Sequence, residues 1–161
     1  MKLTPKKEIF VVLPDIRSVY NVGSIFRTAD CFGVTNIILV GYTPTPKDRF
    51  GRPRKDFSKV ALGAEEVVAW QYFPKISQAM RFLKDKKAFV IGVEQAEESK
   101  DYKKIKPKFP VAFIFGNEVE GVSRGLLKQC DVVAEIPMYG TKESLNVSVA
   151  VGVTLSRILN R

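Results

Sequence analysis

The sequence predicts an α/β protein built on a mostly parallel six-stranded sheet with helices on both faces. Three observations carry that prediction. Short apolar runs recur along the chain, helix-patterned segments separate them, and the runs are apolar throughout rather than alternating. Continuously apolar strands are what a sheet covered on both faces requires. With 161 residues, 45% of them hydrophobic and 11% aromatic, the chain is expected to form one domain over residues 1–161, at roughly 100–200 residues per domain.

The strands are read at Ile9–Leu13, Asn36–Val40, Val67–Tyr72, Ala88–Val93, Val111–Phe115 and Val132–Ile136. Between the first two, Val22, Ile25, Phe26, Ala29 and Phe32 form one apolar stripe, so a helix is expected over Asn21–Phe32, with Gly33 as its stop and Arg27 opposite the stripe. A second helix is expected over Ile76–Lys86, and a short one over Arg124–Gln129 behind Ser123 as N-cap. After Leu145 the pattern reads two ways: Val147, Val149, Val151 and Val153 alternate like a strand, yet the stretch through Leu159 is long enough for a helix. As a helix it would be apolar all round and would need cover on more than one side, which implies a subunit interface.

Composition excludes several chemistries. There is no histidine, so there is no Ser-His-Asp triad, no Cys-His pair and no imidazole proton shuttle. Cys31 and Cys130 stand far apart and cannot supply a four-ligand zinc site without histidine, so no metal is expected; they read as buried, reduced thiols of a cytoplasmic protein. No signal peptide is recognised, because Lys2, Lys6 and Lys7 are followed only by the five-residue apolar run Ile9–Leu13, and no run reaches membrane-spanning length. The formal charge of +9 favours a polyanionic partner, nucleic acid above all, against the plainer alternative of a soluble basic protein. The charge is clustered. Lys47, Arg49, Arg52, Arg54, Lys55 and Lys59 face only Asp48 and Asp56, and a second group holds Lys100, Lys103, Lys104, Lys106 and Lys108. Both stretches read as loops.

The glycine fingerprints of dinucleotide and nucleoside-triphosphate sites are missing from the sequence. Three other constellations carry chemistry-bearing residues. Asn21-Val22-Gly23-Ser24-Ile25-Phe26-Arg27-Thr28-Ala29-Asp30 follows the first strand, where open α/β sheets bind ligands and helix-start amides favour anions. The plain alternative makes Asn21 a cap and pairs Arg27 with Asp30. In Phe115-Gly116-Asn117-Glu118-Val119-Glu120-Gly121-Val122-Ser123, two glycines frame two carboxylates, either for close approach to a ligand or as an ordinary strand-to-helix turn. The third segment runs from Ile136-Pro137-Met138 through Gly140 to Ser144-Leu145-Asn146-Val147-Ser148, where Ser144 and Asn146 either act on a ligand or merely cap a helix.

Taken in this order, the three segments resemble the motifs of the SpoU (TrmH) branch of the SPOUT superfamily, the RNA ribose 2′-O-methyltransferases that use S-adenosylmethionine. Asn21, Gly23 and Arg27 match the first motif; Gly116, Glu118 and Gly121 the second; Ile136-Pro137-Met138, Gly140 and Ser144 to Ser148 the third. The resemblance covers nearly the whole chain. It implies a C-terminal trefoil knot, a helix rather than a strand after Asn146, and a homodimer with sites at the subunit boundary. It places S-adenosylmethionine against Gly116, Ile136, Met138 and Leu145, with the loop after Ala88–Val93 as a further candidate. It gives activation of the ribose hydroxyl to Arg27 and positioning of the ribose or of Arg27 to Ser144 and Asn146, has Glu118 orient one of these, and counts Asn21 among the catalytic residues. Guanidinium stays protonated in proteins, so Arg27 is expected to stabilise a developing alkoxide or grip a phosphate. RNA docking falls to Arg49, Arg52, Arg54 and Lys55, and to the second lysine cluster. A minimal catalytic dimer must read shape and exposed nucleotides, which favours tRNA over rRNA. The competing expectation is a non-catalytic RNA-binding protein that keeps the fold.

Overall fold

A computed structural model describes residues 7–161; Lys2 and Lys6, and the N-terminal reading resting on them, lie outside the described residues. The strands are β1 (Ile9–Pro14), β2 (Asn36–Val40), β3 (Ala69–Phe73), β4 (Phe89–Val93), β5 (Lys100–Asp101), β6 (Val111–Phe115) and β7 (Val132–Glu135). They form one sheet in the order β3-β2-β1-β6-β4-β7-β5, and every strand pair in it among the described residues is parallel. The sheet therefore has seven strands where six were expected. The additional one, β5, is a two-residue edge strand on β7, too short and too charged to show an apolar run.

The helices are α1 (Val19–Cys31), α2 (Lys55–Ala61), α3 (Ala64–Val67), α4 (Ile76–Asp85), α5 (Arg124–Leu127) and α6 (Val147–Leu159), with a 3₁₀ turn at Tyr102–Lys104. They cover both faces because strand side chains alternate. Ile9, Val11 and Leu13 pack with α1, α2, α3 and α6, whereas Phe10 and Val12 pack with α4 and α5. The helix α1 begins two residues earlier than expected because Ser18, not Asn21, is its N-cap, accepting from the Asn21 amide. Ser123 caps α5 as expected.

Four expectations need correction. The stretch from Lys55 to Lys59 is helical, since Phe57 and Ala61 are buried against α1 and the charged residues face out. Val67 belongs to α3, and the strand starts at Ala69. The second lysine cluster is partly ordered, as β5 and the 3₁₀ turn. Cys31 is exposed at the end of α1 and only Cys130 is shielded, half-buried. After Asn146 the chain is indeed helical, with Asn146 as N-cap. Among the described residues only one side of that helix is buried, the side carrying Val147, Val151, Thr154, Leu155 and Ile158, while Val149 remains 49% exposed.

Candidate active site

A cleft of about 1050 Å³ opens at the carboxyl ends of β4, β6 and β7, the edge at which parallel α/β sheets hold ligands. Its lining draws on all the segments expected to hold a cofactor: Gly116 after β6, Ile136 and Met138 after β7, and Leu145 ahead of α6. Glu118, Ser144 and Asn146 line it too.

The turn after β6 is built from close backbone contact. A Cβ on Gly116 would stand 2.1 Å from the Gly121 carbonyl carbon, and one on Gly121 would stand 2.2 Å from Glu94 Oε2. Gly121 also has φ +65°, a conformation that side chains disfavour. Asn117 Oδ1 accepts from the amides of Val119 and Glu120, and the Gly121 amide donates to the Asn117 carbonyl. Glu94 secures the turn from β4: its Oε2 accepts from the Val122 amide at 2.9 Å and its Oε1 from the Gln95 amide at 2.9 Å. The Gln95 side chain donates through Nε2 to the Glu143 carbonyl at 2.7 Å, tying the segment after β4 to the third motif.

One hydrogen-bonded relay joins the three motifs. Asn21 Nδ2 donates to Glu118 Oε1 at 2.9 Å, and Asn146 Nδ2 donates to Asn21 Oδ1 at 3.2 Å. Asn146 Oδ1 accepts from the Ser148 amide and hydroxyl, while Glu118 Oε2 accepts from the Arg17 amide at 3.2 Å. Asn21 sits at the centre, 6% exposed, with both ends of its amide used, as burial demands. Burial pushes the Glu118 carboxyl up, but the hydrogen bonds from Asn21, its own amide and the amides of Arg17 and Ser18 outweigh it and hold the group below the usual glutamate range.

Both plain alternatives for the first motif therefore fail: Asn21 is not a cap, and Arg27 forms no ion pair with Asp30 or any other described residue. Asn146 does cap its helix, and reaches Asn21 as well. Ser144 caps nothing and is exposed in the cleft wall. Arg27 is exposed on α1 and is not among the residues lining the cleft of its own chain. The cleft carries five carboxylates, Glu94, Glu97, Glu98, Glu118 and Glu120, against Arg124 and Lys128, a negative hollow in a chain of charge +9. Glu94 was not named individually by sequence; its signal was its place at the start of the loop after Ala88–Val93, which the family resemblance made a further candidate. Among the described residues, no group of three or more His, Cys, Asp or Glu side chains could hold a metal.

The basic residues lie apart from the cleft lining. Arg49 and Arg52 stand on a tight hairpin after β2, followed by Arg54 and Lys55 at the start of α2; Arg54 is half-buried and the other three are exposed. Arg52 pairs with Asp48 at 2.9 Å and Arg54 with Asp56 at 2.8 Å. No described helix is long and apolar enough to cross a membrane.

Residues 8–156 match the model of the SpoU rRNA Methylase family. The chain is 36% identical over 148 residues to the 23S rRNA (guanosine-2′-O-)-methyltransferase RlmB of Neisseria meningitidis, covering 92% of this chain and 56% of that protein. It is 30% identical over 160 residues to a TrmH family tRNA/rRNA methyltransferase of Staphylococcus saprophyticus, covering 99% of this chain and 61% of that one. The chain thus spans somewhat over half the length of these curated relatives. Among solved structures it resembles an AdoMet-bound rRNA methyltransferase from Sinorhizobium meliloti, with TM-score 0.82 and 28% identity over 98% of this chain and 58% of that one.

Proposed function

The chain belongs to the SpoU rRNA methylase family, and from that premise we propose that it is an S-adenosylmethionine-dependent RNA methyltransferase acting on a ribose 2′-hydroxyl. The observation that carries the proposal is the relay Glu118–Asn21–Asn146, which locks three remote motifs together beside a cleft lined by Gly116, Ile136, Met138 and Leu145. The cleft is large enough for an adenosyl ligand, and its surplus of carboxylates suits a cationic one. Bound there, S-adenosylmethionine supplies an electrophilic methyl group with its own leaving group, so the protein's task is alignment of the ribose oxygen.

Backbone around Gly116, Ile136, Met138 and Leu145 would hold the adenosyl part. Ser144, exposed in the wall, and Asn146, fixed by Asn21, would position the ribose. Arg27 keeps its charge and would stabilise the developing alkoxide or grip the neighbouring phosphate. Since Arg27 does not line the cleft of its own chain, we place it at the cleft of a second copy, in a homodimer. Its support is that the packed pair α1 and α6 leaves Tyr20 65% and Val149 49% exposed. The proposal includes a trefoil knot in the C-terminal part, consistent with the Gln95–Glu143 hydrogen bond between the segments after β4 and β7, and a cytoplasmic site of action. The relatives are named for 23S rRNA or for tRNA/rRNA, so ribosomal RNA, ahead of the tRNA expected from the sequence, is the first substrate to test.

The test uses the purified chain, radiolabelled S-adenosylmethionine, and unmethylated tRNA and rRNA. We expect label on a ribose 2′-oxygen, a raised melting temperature with S-adenosylhomocysteine, and a loss of about 10²–10³-fold in rate for Arg27→Ala with that thermal shift retained. Transfer undiminished in Arg27→Ala removes Arg27 from the mechanism. RNA binding with neither transfer nor thermal shift would identify a non-catalytic binder.

A further inference from the structure

The hairpin after β2 holds an aromatic ring that phosphate contacts leave unused. Phe50 is 67% exposed at its tip. Single exposed apolar residues are ordinary; this one is unusual for how firmly it is presented. Asp48 Oδ1 accepts from the amides of Phe50 at 2.8 Å and Arg52 at 3.0 Å. The Asp48 amide donates to the Arg52 carbonyl and the Gly51 amide to the Asp48 carbonyl, and Lys47 bridges Pro53 across the base. Gly51 turns the chain at φ +77°.

Two guanidinium groups accompany the ring. Arg49 Cζ lies 4.8 Å and Arg52 Cζ 5.0 Å from its centroid, within cation–π range. Arg52 is also held from its other side, with Nε donating to Asp48 Oδ2 at 2.9 Å. The root of the segment is fixed to the site. Buried Thr43 donates through its hydroxyl to the Leu13 carbonyl and accepts from the Ile16 amide, one residue before Arg17, whose amide binds Glu118.

A rigid, solvent-facing π surface with two guanidinium planes on a cationic strip has the chemistry of a base-stacking platform. We propose that Phe50 stacks on an unpaired nucleobase of single-stranded RNA while Arg49 and Arg52 contact the phosphates flanking it. This rests on the RNA methyltransferase reading and names how that enzyme grips its substrate away from the reacting ribose.

The experiment compares binding of a single-stranded RNA oligonucleotide with that of an abasic oligonucleotide of equal length and charge, across a salt series. The wild-type chain should prefer the base-bearing strand by about tenfold. Phe50→Ala should lose that preference while keeping the slope of log affinity against log salt, because stacking releases no counterions, and Phe50→Trp should restore it. Arg49→Ala should lower the slope by about 0.7. Melting temperatures of the variants should match wild type, since the ring lies outside the core. A preference unchanged in Phe50→Ala, or equal affinity for the two strands in wild type, overturns the stacking proposal and leaves methyl transfer standing. A change in oligomeric state with RNA affinity unaltered overturns it in favour of a protein contact. Failure to bind any RNA removes the functional reading itself.

Discussion

The cleft and the basic hairpin are both turns built on carboxylates, yet they are constructed oppositely. In the cleft, Glu94 and Glu118 reach across the fold, to Val122 and to Asn21, and the glycines there pack against neighbouring chain with no room to spare. In the hairpin, Asp48 binds only Phe50, Gly51 and Arg52, and a Cβ on Gly51 would meet nothing within 4 Å. One site is assembled from distant segments and carries surplus negative charge; the other is local and positive. Under the proposed function, with a small cationic cofactor and a polyanionic RNA, this separation would let each charge field attract one ligand and repel the other.

The two turns differ most in what they tolerate at a glycine of positive φ, Gly121 in the cleft and Gly51 in the hairpin. Gly121→Ala combines strain with a collision against Glu94 and should cost about 3 kcal/mol of stability, against about 1 kcal/mol for Gly51→Ala, where only strain applies. Urea unfolding midpoints would measure both, and equal losses would deny the difference in construction. Asn21→Ala strands two partners and should cost about 1–2 kcal/mol by the same measurement. Folding depresses the Glu118 value, so its support is complete above the ordinary value of 4.5 and fades as pH falls through the lower folded value. The stability gap between wild type and Glu118→Gln should close on acidification. A gap that widens would reverse the assignment. Just past the hairpin, at the start of α2, Lys55→Ala should lower the salt slope of RNA binding by about 0.7 without altering stabilisation by S-adenosylhomocysteine. The smallest expected effect is chemical. Cys130, whose thiol is pushed to about 11 by burial and then by the Asp131 charge, should alkylate at least about tenfold more slowly than exposed Cys31. Mass spectrometry of the modified peptides reads the ratio.

The strands were legible because β1, β2, β4 and β6 are buried on both faces and leave unbroken apolar runs in the sequence. The helix α2 was hidden because only Phe57 and Ala61 of its seven residues are buried, and three of the others are charged. Cys31 is exposed, against the burial usual for its residue type, because it lies on the side of α1 opposite the stripe of Val22, Ile25, Phe26, Ala29 and Phe32. At the site, Asn21, Glu118 and Asn146 were each recognisable. Their direct linkage was not, because side-chain partners 97 and 125 positions apart leave no local trace. Glu94 escaped for another reason: its two partners are backbone amides, which carry no residue-type signal.

The separation of those partners also sets a timetable. Asn21 emerges early during synthesis but cannot complete its amide until Asn146 arrives, 125 positions later, and closing so long a loop is among the slower events of folding. A nascent chain lacking α6 would have its parallel strands available to pair while the polar knuckle between the motifs stayed open to water. Ligand competence and final docking of the last helix should therefore appear together, in a single kinetic phase.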